Sequence, residues 1–507
     1  MKKAALVIIL LTVISKILGF LREIVLSYYY GASTISDVYF VSLIIPGSIF
    51  ALIGVGITTN FIPLFTNVEN KKGSISANLF VNNVLGFVSI LSIIVIILVF
   101  IFTETIVKLF AIGFEGETLK TAILFTKISI IGIFFYGISY IFTGFLNIKN
   151  NFTIPILTTL PFNLTIVVSI ILAYHFDMIL LAYGSLLAIA LQAFFMLPSV
   201  LKNNFSFKIA LNFKDKYLRK IIFLSIPVIL GTSINQVNRL VDRTLASDIV
   251  VGGISALNYS DRVNHFILGI FVTSIVTVIF PSFAKMSVDN NLVSIKSLFT
   301  QAVNSMSLII IPATIGSMIF SKEIISLLFG RGSFDDNAVS LTSSAFFFYS
   351  LGLIGIGLRE ITSRIFYALH DTKTPMINAS IGLVLNIILN IILSQYLGIG
   401  GLALATSIAS LVTALLMILS LKRKIGSFGI RKMLVLFLKV LSAGLVMGIV
   451  AKFSFIYIKN ILSQDLSLII AVNLSLISYF VLVSYMNIQE VNIILSAIKK
   501  KFLKVFK

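Results

Sequence analysis

Cysteine and tryptophan are both absent from the 507 residues. Without cysteine the chain has no disulfide, no thiolate metal site and no cysteine nucleophile. Without tryptophan, tyrosine and phenylalanine must supply the aromatic anchors of any membrane interface. Charge is scarce too: Asp, Glu, Lys and Arg make up 11% of the chain, against roughly a quarter in a soluble protein. Acidic residues are the scarcer sign, 19 against 39 Lys and Arg, which leaves a formal net charge of +20. The three histidines, His175, His265 and His370, lie in separate segments without metal-ligand spacing. No G-x-x-x-x-G-K-[ST] loop is present to cradle a nucleotide, so the chain consumes no ATP itself. Large polar loops and clusters of catalytic acids are also missing, which argues against an intramembrane glycosyltransferase or ligase.

What is there instead is apolar. Hydrophobic residues make up 58% of the chain and mean hydropathy is +1.07. Blocks long enough to cross a hydrocarbon core of roughly 30 Å recur along the whole length. Fourteen spans are expected, over 5–29, 38–65, 77–103, 121–145, 153–173, 178–198, 221–246, 255–283, 298–320, 341–366, 375–394, 401–420, 434–457 and 466–487. The reading is an all-α polytopic membrane protein. The first apolar stretch lacks a small-x-small cleavage pattern and runs into Lys16 and Arg22, so it is expected to be a span rather than a signal peptide.

The basic residues sort by loop. Those at both termini and in the loops on their side include Lys202 to Lys220, Lys422 to Lys432 and Lys499 to Lys507. The opposite loops hold only Lys108, Lys120, Lys322, Arg331 and Lys459. This asymmetry is the positive-inside pattern, and it predicts both termini in the cytoplasm. The excess of positive charge thus describes topology and attraction to anionic lipid headgroups, not nucleic-acid binding.

Sliding the chain along itself by about 220 residues brings matching features together. Pro155 falls on Pro375 and Tyr39 on Tyr259; Pro63 and Pro281 match with a small shift, as do Ile106–Phe110 and Ile324–Phe329. Six spans per repeat, an even number, give the halves one orientation and an axis along the membrane normal, with a central site. The expected organisation is two pseudo-symmetric six-helix bundles around a central cavity, over 1–198 and 221–425. A basic cytoplasmic link, 199–220, joins them, and 426–507 adds two further helices and a basic tail.

Charge at mid-membrane depth costs a few kcal/mol per residue, so such residues usually face a cavity or a partner. The first span carries Lys16, Arg22 and Glu23; Lys16 and Glu23 lie two turns apart on one face, where they can neutralise each other. Asp37 opens the second span. Arg239, Asp242 and Arg243 lie in the seventh, and Asp261, Arg262 and His265 in the eighth. Arg359, Glu360 and Arg364 have the spacing of a structural ion pair. Arg22 and Arg262 have no opposite charge three or four residues away. They are the best candidates for anion contacts, because a guanidinium binds phosphate or carboxylate in bidentate fashion and stays ionised. Asn386 and Asn390, one turn apart, with Thr406 and Asp242, could serve a hard monovalent cation; Asn and Thr also bridge membrane helices by hydrogen bonds. Gly398-Ile-Gly400-Gly401 reads as a tight turn, and Gly352, Gly355 and Gly357 as sites of close helix packing.

Ser15-Lys-Ile-Leu-Gly-Phe-Leu-Arg-Glu23, Gly31-Ala32 and Ser36-Asp-Val-Tyr-Phe40 together resemble the opening of the MurJ (MviN-type) lipid II flippases. Tyr259-Ser-Asp-Arg-Val263, Leu328-Phe-Gly-Arg-Gly-Ser-Phe-Asp335 and Phe366-Tyr-Ala-Leu-His-Asp-Thr-Lys-Thr-Pro375 resemble that family's later motifs, in the same order. The resemblance covers about residues 1–420. It implies the fold of the multidrug/oligosaccharidyl-lipid/polysaccharide exporters, residence in the bacterial cytoplasmic membrane, and outward transfer of the undecaprenyl-pyrophosphate-linked peptidoglycan precursor by alternating access. Cell-wall synthesis proteins are implied as partners. The resemblance places Lys16, Arg22, Asp37 and Arg262 at the substrate, Lys16 standing where the family usually has arginine. Glu23, Arg239, Arg243 and Asp261 are further cavity candidates. It also implies a coupling sodium ion at Asp242, Asn386, Asn390, Leu402 and Thr406, and no other cofactor; Asn390 stands where an aspartate can occur. A family arginine in the second span has no counterpart, since Ser48-Ile-Phe-Ala-Leu52 is apolar. That departure keeps open a flippase for another polyprenyl-linked glycan, such as an O-antigen or capsule unit. A cation-coupled multidrug exporter is the remaining reading.

Overall fold

The computed structural model describes residues 2–208, 210–289 and 291–492, and every regular element among them is helical. In chain order these are α1 (Lys2–Tyr30), α2 (Thr34–Ile101), α3 (Thr103–Phe110), α4 (Gly116–Ile130), α5 (Gly132–Ile148), α6 (Thr153–Leu157), α7 (Thr159–His175), α8 (Leu180–Lys202) and α9 (Lys216–Ile249). There follow α10 (Gly253–Val288), α11 (Leu292–Ile319), α12 (Ser321–Phe329), α13 (Asp336–Ala368), α14 (Lys373–Leu397), α15 (Ile399–Ile425), α16 (Ile430–Lys459) and α17 (Gln464–Tyr485). Eleven helical stretches among the described residues are long and apolar enough to cross a membrane. The protein is an all-α polytopic membrane protein. Side chains such as Ile97, Phe100, Ile388, Ile449 and Phe480 are exposed, an arrangement that suits lipid and would be costly in water.

The helix ends follow local chemistry. Ser33 and Ser36 form a reciprocal capping box that starts α2. Asp215 accepts the N–H groups of Tyr217 and Leu218, both at 2.8 Å, and starts α9. Gly31, with φ +59°, ends α1 and donates its N–H to the Ser27 carbonyl at 2.8 Å. Gly73, with φ +79°, breaks α2 into two helical stretches.

The chain packs as two compact units. One runs through Ser255 and includes Arg331–Ala338; the other comprises Ala256–Gly330 and the chain from Val339 on. In the first, α2 packs against α4, α5 and α9, and α1 packs against α7. Its core is rich in phenylalanine, with Phe61, Phe65, Phe80, Phe142, Phe145 and Phe205 all buried. The basic link is fixed in place here rather than left loose. Asn82 bridges it by donating to the Ser206 carbonyl at 2.8 Å and accepting from the Lys208 N–H at 3.0 Å. Asn83 does the same to both main-chain groups of Asn212, and Asn78 donates to the Asn204 carbonyl.

In the second unit Phe283, Phe299, Phe366 and Phe428 surround Met306 and Met417. Small residues let helices approach: Ser407 and Ser410 lie where a Cβ on Gly352 or Gly355 would fall, as the spacing of these glycines predicts. Gly398, φ +55°, makes the expected turn between α14 and α15. Pro312 in α11 has no N–H, so the carbonyl four residues earlier, that of Leu308, lacks its helical partner. The buried Tyr479 hydroxyl of α17 donates to that carbonyl at 2.7 Å. The defect in one helix thereby becomes the docking point for another.

Candidate functional site

The first unit gathers charge along α1 and at the ends of α2 and α9. Lys16 is exposed and lines a cavity of about 650 Å³ with Thr12, Ser15, Thr143, Asn147 and Thr159. The Thr159 hydroxyl donates to that of Ser15 at 2.6 Å and ties α7 to α1 on the wall of this cavity. Arg22 donates to Glu23 at 2.5 Å and lies over the Phe162 ring, 5.7 Å from its centroid. The sequence spacing offered Lys16 as the partner of Glu23; the structure pairs Glu23 with its neighbour Arg22. The Arg22 side chain is 14% exposed and that of Glu23 1%. A guanidinium held by an aromatic face and one carboxylate still has donors to offer an anionic group.

Asp37 is 2% exposed and makes a junction between helix starts. One of its oxygens accepts the Gly252 N–H at 2.8 Å; the other accepts the Ser255 N–H at 2.7 Å and the Ser255 hydroxyl at 2.5 Å. Arg243, also buried, donates to the Ile254 carbonyl at 2.9 Å. A carboxylate and a guanidinium thus clamp the first turn of α10, whose free N–H groups favour the negative charge. Asp242 is 8% exposed, whereas Arg239 on the same helix is exposed.

In the second unit Arg262 is exposed on α10, and its neighbour Asp261 lies 3.4 Å from His265. Arg364 and Glu360 form the ion pair that their spacing predicts, at 3.7 Å. Asn386, Asn390 and Thr406 come together: Asn390 donates to Asn386 at 2.9 Å, and Asn386 to Thr406 at 3.1 Å. Leu402 is buried one turn before Thr406. These amide, hydroxyl and carbonyl oxygens suit a hard monovalent cation, and they equally stitch α14 to α15. Among the described residues no cluster of three His, Cys, Asp or Glu could hold a metal.

Outside the spans, Asp371 of the Phe366–Pro375 motif pairs with Lys424 at 2.5 Å and accepts the Thr374 N–H and hydroxyl. Burial alone would raise its carboxyl pKa, but Lys424 and Thr374 outweigh that and hold it at about 2. Sequence reasoning missed Phe162, Gly252, Ser255 and Asp371. Only for Asp371 was there a readable signal, an aspartate three residues before a threonine at a helix start.

The described residues thus form two compact helical units that bury charged side chains among apolar spans. An inward-facing multidrug resistance MATE family transporter of the MOP superfamily has the same fold, with a TM-score of 0.69 at 16% identity over 83% of this chain and 98% of that one. A structure described as lipid II flippase MurJ in an inward closed conformation superposes with a TM-score of 0.83 at 28% identity, over 95% of this chain and 98% of that one. The family model described as lipid II flippase MurJ matches residues 26–473. Relatives described as probable lipid II flippases include one from Buchnera aphidicola subsp. Baizongia pistaciae, 31% identical over 80% of this chain and 81% of its own length. Another, from Vibrio cholerae, is 29% identical over 82% of each chain. The chain belongs to the lipid II flippase MurJ family.

Proposed function

We propose that this protein carries lipid II, the undecaprenyl-pyrophosphate-linked peptidoglycan precursor, across the bacterial plasma membrane by alternating access. The observation that carries the reading is the family match over 26–473, which spans the charged residues from Asp37 to Lys424; Lys16, Arg22 and Glu23 lie just ahead of it on α1. It favours lipid II over the other glycan lipids and over drugs, whose exporters share the fold alone. Arg22 and Arg262 are the residues we assign to the pyrophosphate and the acidic peptide, with Lys16 at the cavity beside α1. Glu23 holds Arg22 in place, and Asp37 and Arg243 set the start of α10; Arg239 and Asp261 are secondary contacts.

We take the spans to be fourteen, adding α1 and α9 to the eleven apolar stretches and counting α2 twice because Gly73 divides it. We assign both termini to the cytoplasm from the basic loops, and the repeats to 1–198 and 221–425, with 199–220 as link and 426–507 as an addition. The repeat describes descent of the sequence; packing groups α9 with the first unit. Asn386, Asn390, Thr406 and the Leu402 carbonyl would hold sodium, whose role would be to couple the return step to an ion gradient. Asp242 lies in the first unit, so the cation assignment rests here on the other four. One unit charge moving through 100 mV contributes about 2.3 kcal/mol, a bias of roughly fifty-fold between two states.

The test is complementation in a bacterium depleted of its own lipid II flippase. Wild type should restore growth, and Arg22→Ala and Arg262→Ala should not, at equal membrane levels. Rescue by both variants would remove these arginines from the site. Failure of a well-expressed wild type would remove lipid II.

A further inference from the structure

Two contacts in the first unit, at the ends of α1 and α9, exchange roles between the repeats. In one, the Gly113 N–H donates to the Ser247 hydroxyl at 3.1 Å, and the Thr244 hydroxyl donates to the Leu109 carbonyl at 2.6 Å. A Cβ on Gly113 would lie inside contact distance of the Ser247 carbonyl, so only glycine fits. In the other, the Ser333 N–H donates to the Tyr28 carbonyl at 2.8 Å, and its hydroxyl donates to the Tyr29 carbonyl at 3.0 Å. Here a Cβ on Gly332, φ +63°, would strike the Tyr28 carbonyl.

A shift of 219 residues carries Tyr28 onto Ser247 and Gly113 onto Gly332. The loop after the short helix of one repeat therefore sits on the end of the other repeat's first helix, and the reverse also holds. This is the reciprocal pattern of a two-fold interface, where each contact implies its mirror. Each loop also meets main-chain or hydroxyl groups of a last helical turn, where carbonyls lack helical partners. The two receiving ends are joined directly: a Cβ on Gly252 would strike the Ala32 carbonyl, and Asp37 bonds Gly252 and Ser255.

We propose that these contacts are a matched pair of latches that hold the outer end of the protein shut and release together. The inference deepens the transport reading above and rests on its topology, which places Tyr30 and Ile249 at the outer side. The strain of parting one latch reaches the other through the three-residue turn after Tyr30 and the Asp37 junction. A substitution in one latch should therefore expose the other.

The chain has no native cysteine, so single thiols report cleanly. Ala111 and Ala338, 0% and 3% exposed, lie within five residues of Gly113 and Ser333 and are replaced by cysteine, one at a time, as reporters. Intact spheroplasts carrying one reporter are treated with a membrane-impermeant maleimide. With the Ala111→Cys reporter, Gly332→Val or Ser333→Ala should raise the labelling rate roughly fivefold, as the loss of one hydrogen bond would. With the Ala338→Cys reporter, Gly113→Val or Thr244→Val should do the same. The Ser333 and Thr244 variants add no bulk at the glycines, so the test stands even if the Gly→Val proteins fail to fold. Each variant is also read with the reporter beside its own latch: a rise there without one at the distant reporter would overturn the pairing, and no rise at either would overturn the latches. Labelling solely from inside-out membranes would overturn the topology. Labelling needs no lipid II, so its outcome is independent of complementation.

Discussion

Replacing Asp37 by alanine removes the acceptor for three hydrogen bonds and leaves two main-chain N–H groups, those of Gly252 and Ser255, facing a void. Hydrogen bonds to a charged group contribute about 1.5–3 kcal/mol each, and an unsatisfied buried donor costs about 1–3 kcal/mol. The favourable alignment of a carboxylate with a helix N-terminus adds about 0.3–1 kcal/mol. These contributions overlap, and water entering the vacated space recovers part of them, so a local loss of about 3–4 kcal/mol is expected. That is enough to open the first turn of α10 without unfolding the protein, because the Phe-rich cores lie elsewhere. Hydrogen exchange on peptides covering 250–258, in detergent or nanodiscs, reads the effect directly. At about 1.4 kcal/mol per tenfold, exchange at Gly252 and Ser255 should quicken by two to three orders of magnitude. Asp37→Asn, which keeps one acceptor, should lie between, and Ser255→Ala should cost about 1 kcal/mol. Exchange that stays within about threefold of wild type in Asp37→Ala would refute the junction.

Tyr479→Phe should leave the Leu308 carbonyl beside Pro312 unpaired and lower the thermal stability of the α16–α17 pair by about 1–3 kcal/mol, read as early proteolysis after Lys452 or Lys459. Unchanged protease resistance would show that apolar packing alone holds α17. Asp371 has a folded pKa, about 2, below its ordinary value of 3.8, so its contribution is present above 3.8 and is lost as pH falls through 2. The Tm difference between wild type and Asp371→Asn should thus be constant from about pH 5 to pH 8 and shrink only below about pH 4; a difference that varies between pH 5 and 8 would refute this. Asn82→Ala should free the link at 206–208, seen as faster exchange there with little change in the Phe-rich core; a global loss of stability would mean that the link is part of that core.

Composition alone decided that this chain lives in a membrane, because 11% charge with a mean hydropathy of +1.07 leaves no soluble solution. Periodic apolar blocks, proline and glycine placed the helices to within a few residues, since span length and chain breaks are local properties. The Arg364–Glu360 pair and the Gly352 and Gly355 packing sites were legible for the same reason: helical spacing brings their residues to one face. The breadth of α2, interrupted only by Gly73, was not, because a positive φ in a polar turn looks like any flexible glycine. Ordered motifs such as Ser36–Phe40 and Tyr259–Val263 carried the family.

Tertiary structure decided the partners. Lys16 and Glu23 share a helical face, yet Glu23 turned to Arg22, whose guanidinium lies over Phe162 from a helix more than a hundred residues on. Asp37 met Gly252 and Ser255 across more than two hundred residues, and Pro312 found Tyr479 at still another distance. A sequence states which groups need a partner inside a membrane, since each unpaired charge or carbonyl there is costly. Which group answers depends on how helices far apart in the chain come to lie side by side, and no local pattern encodes that.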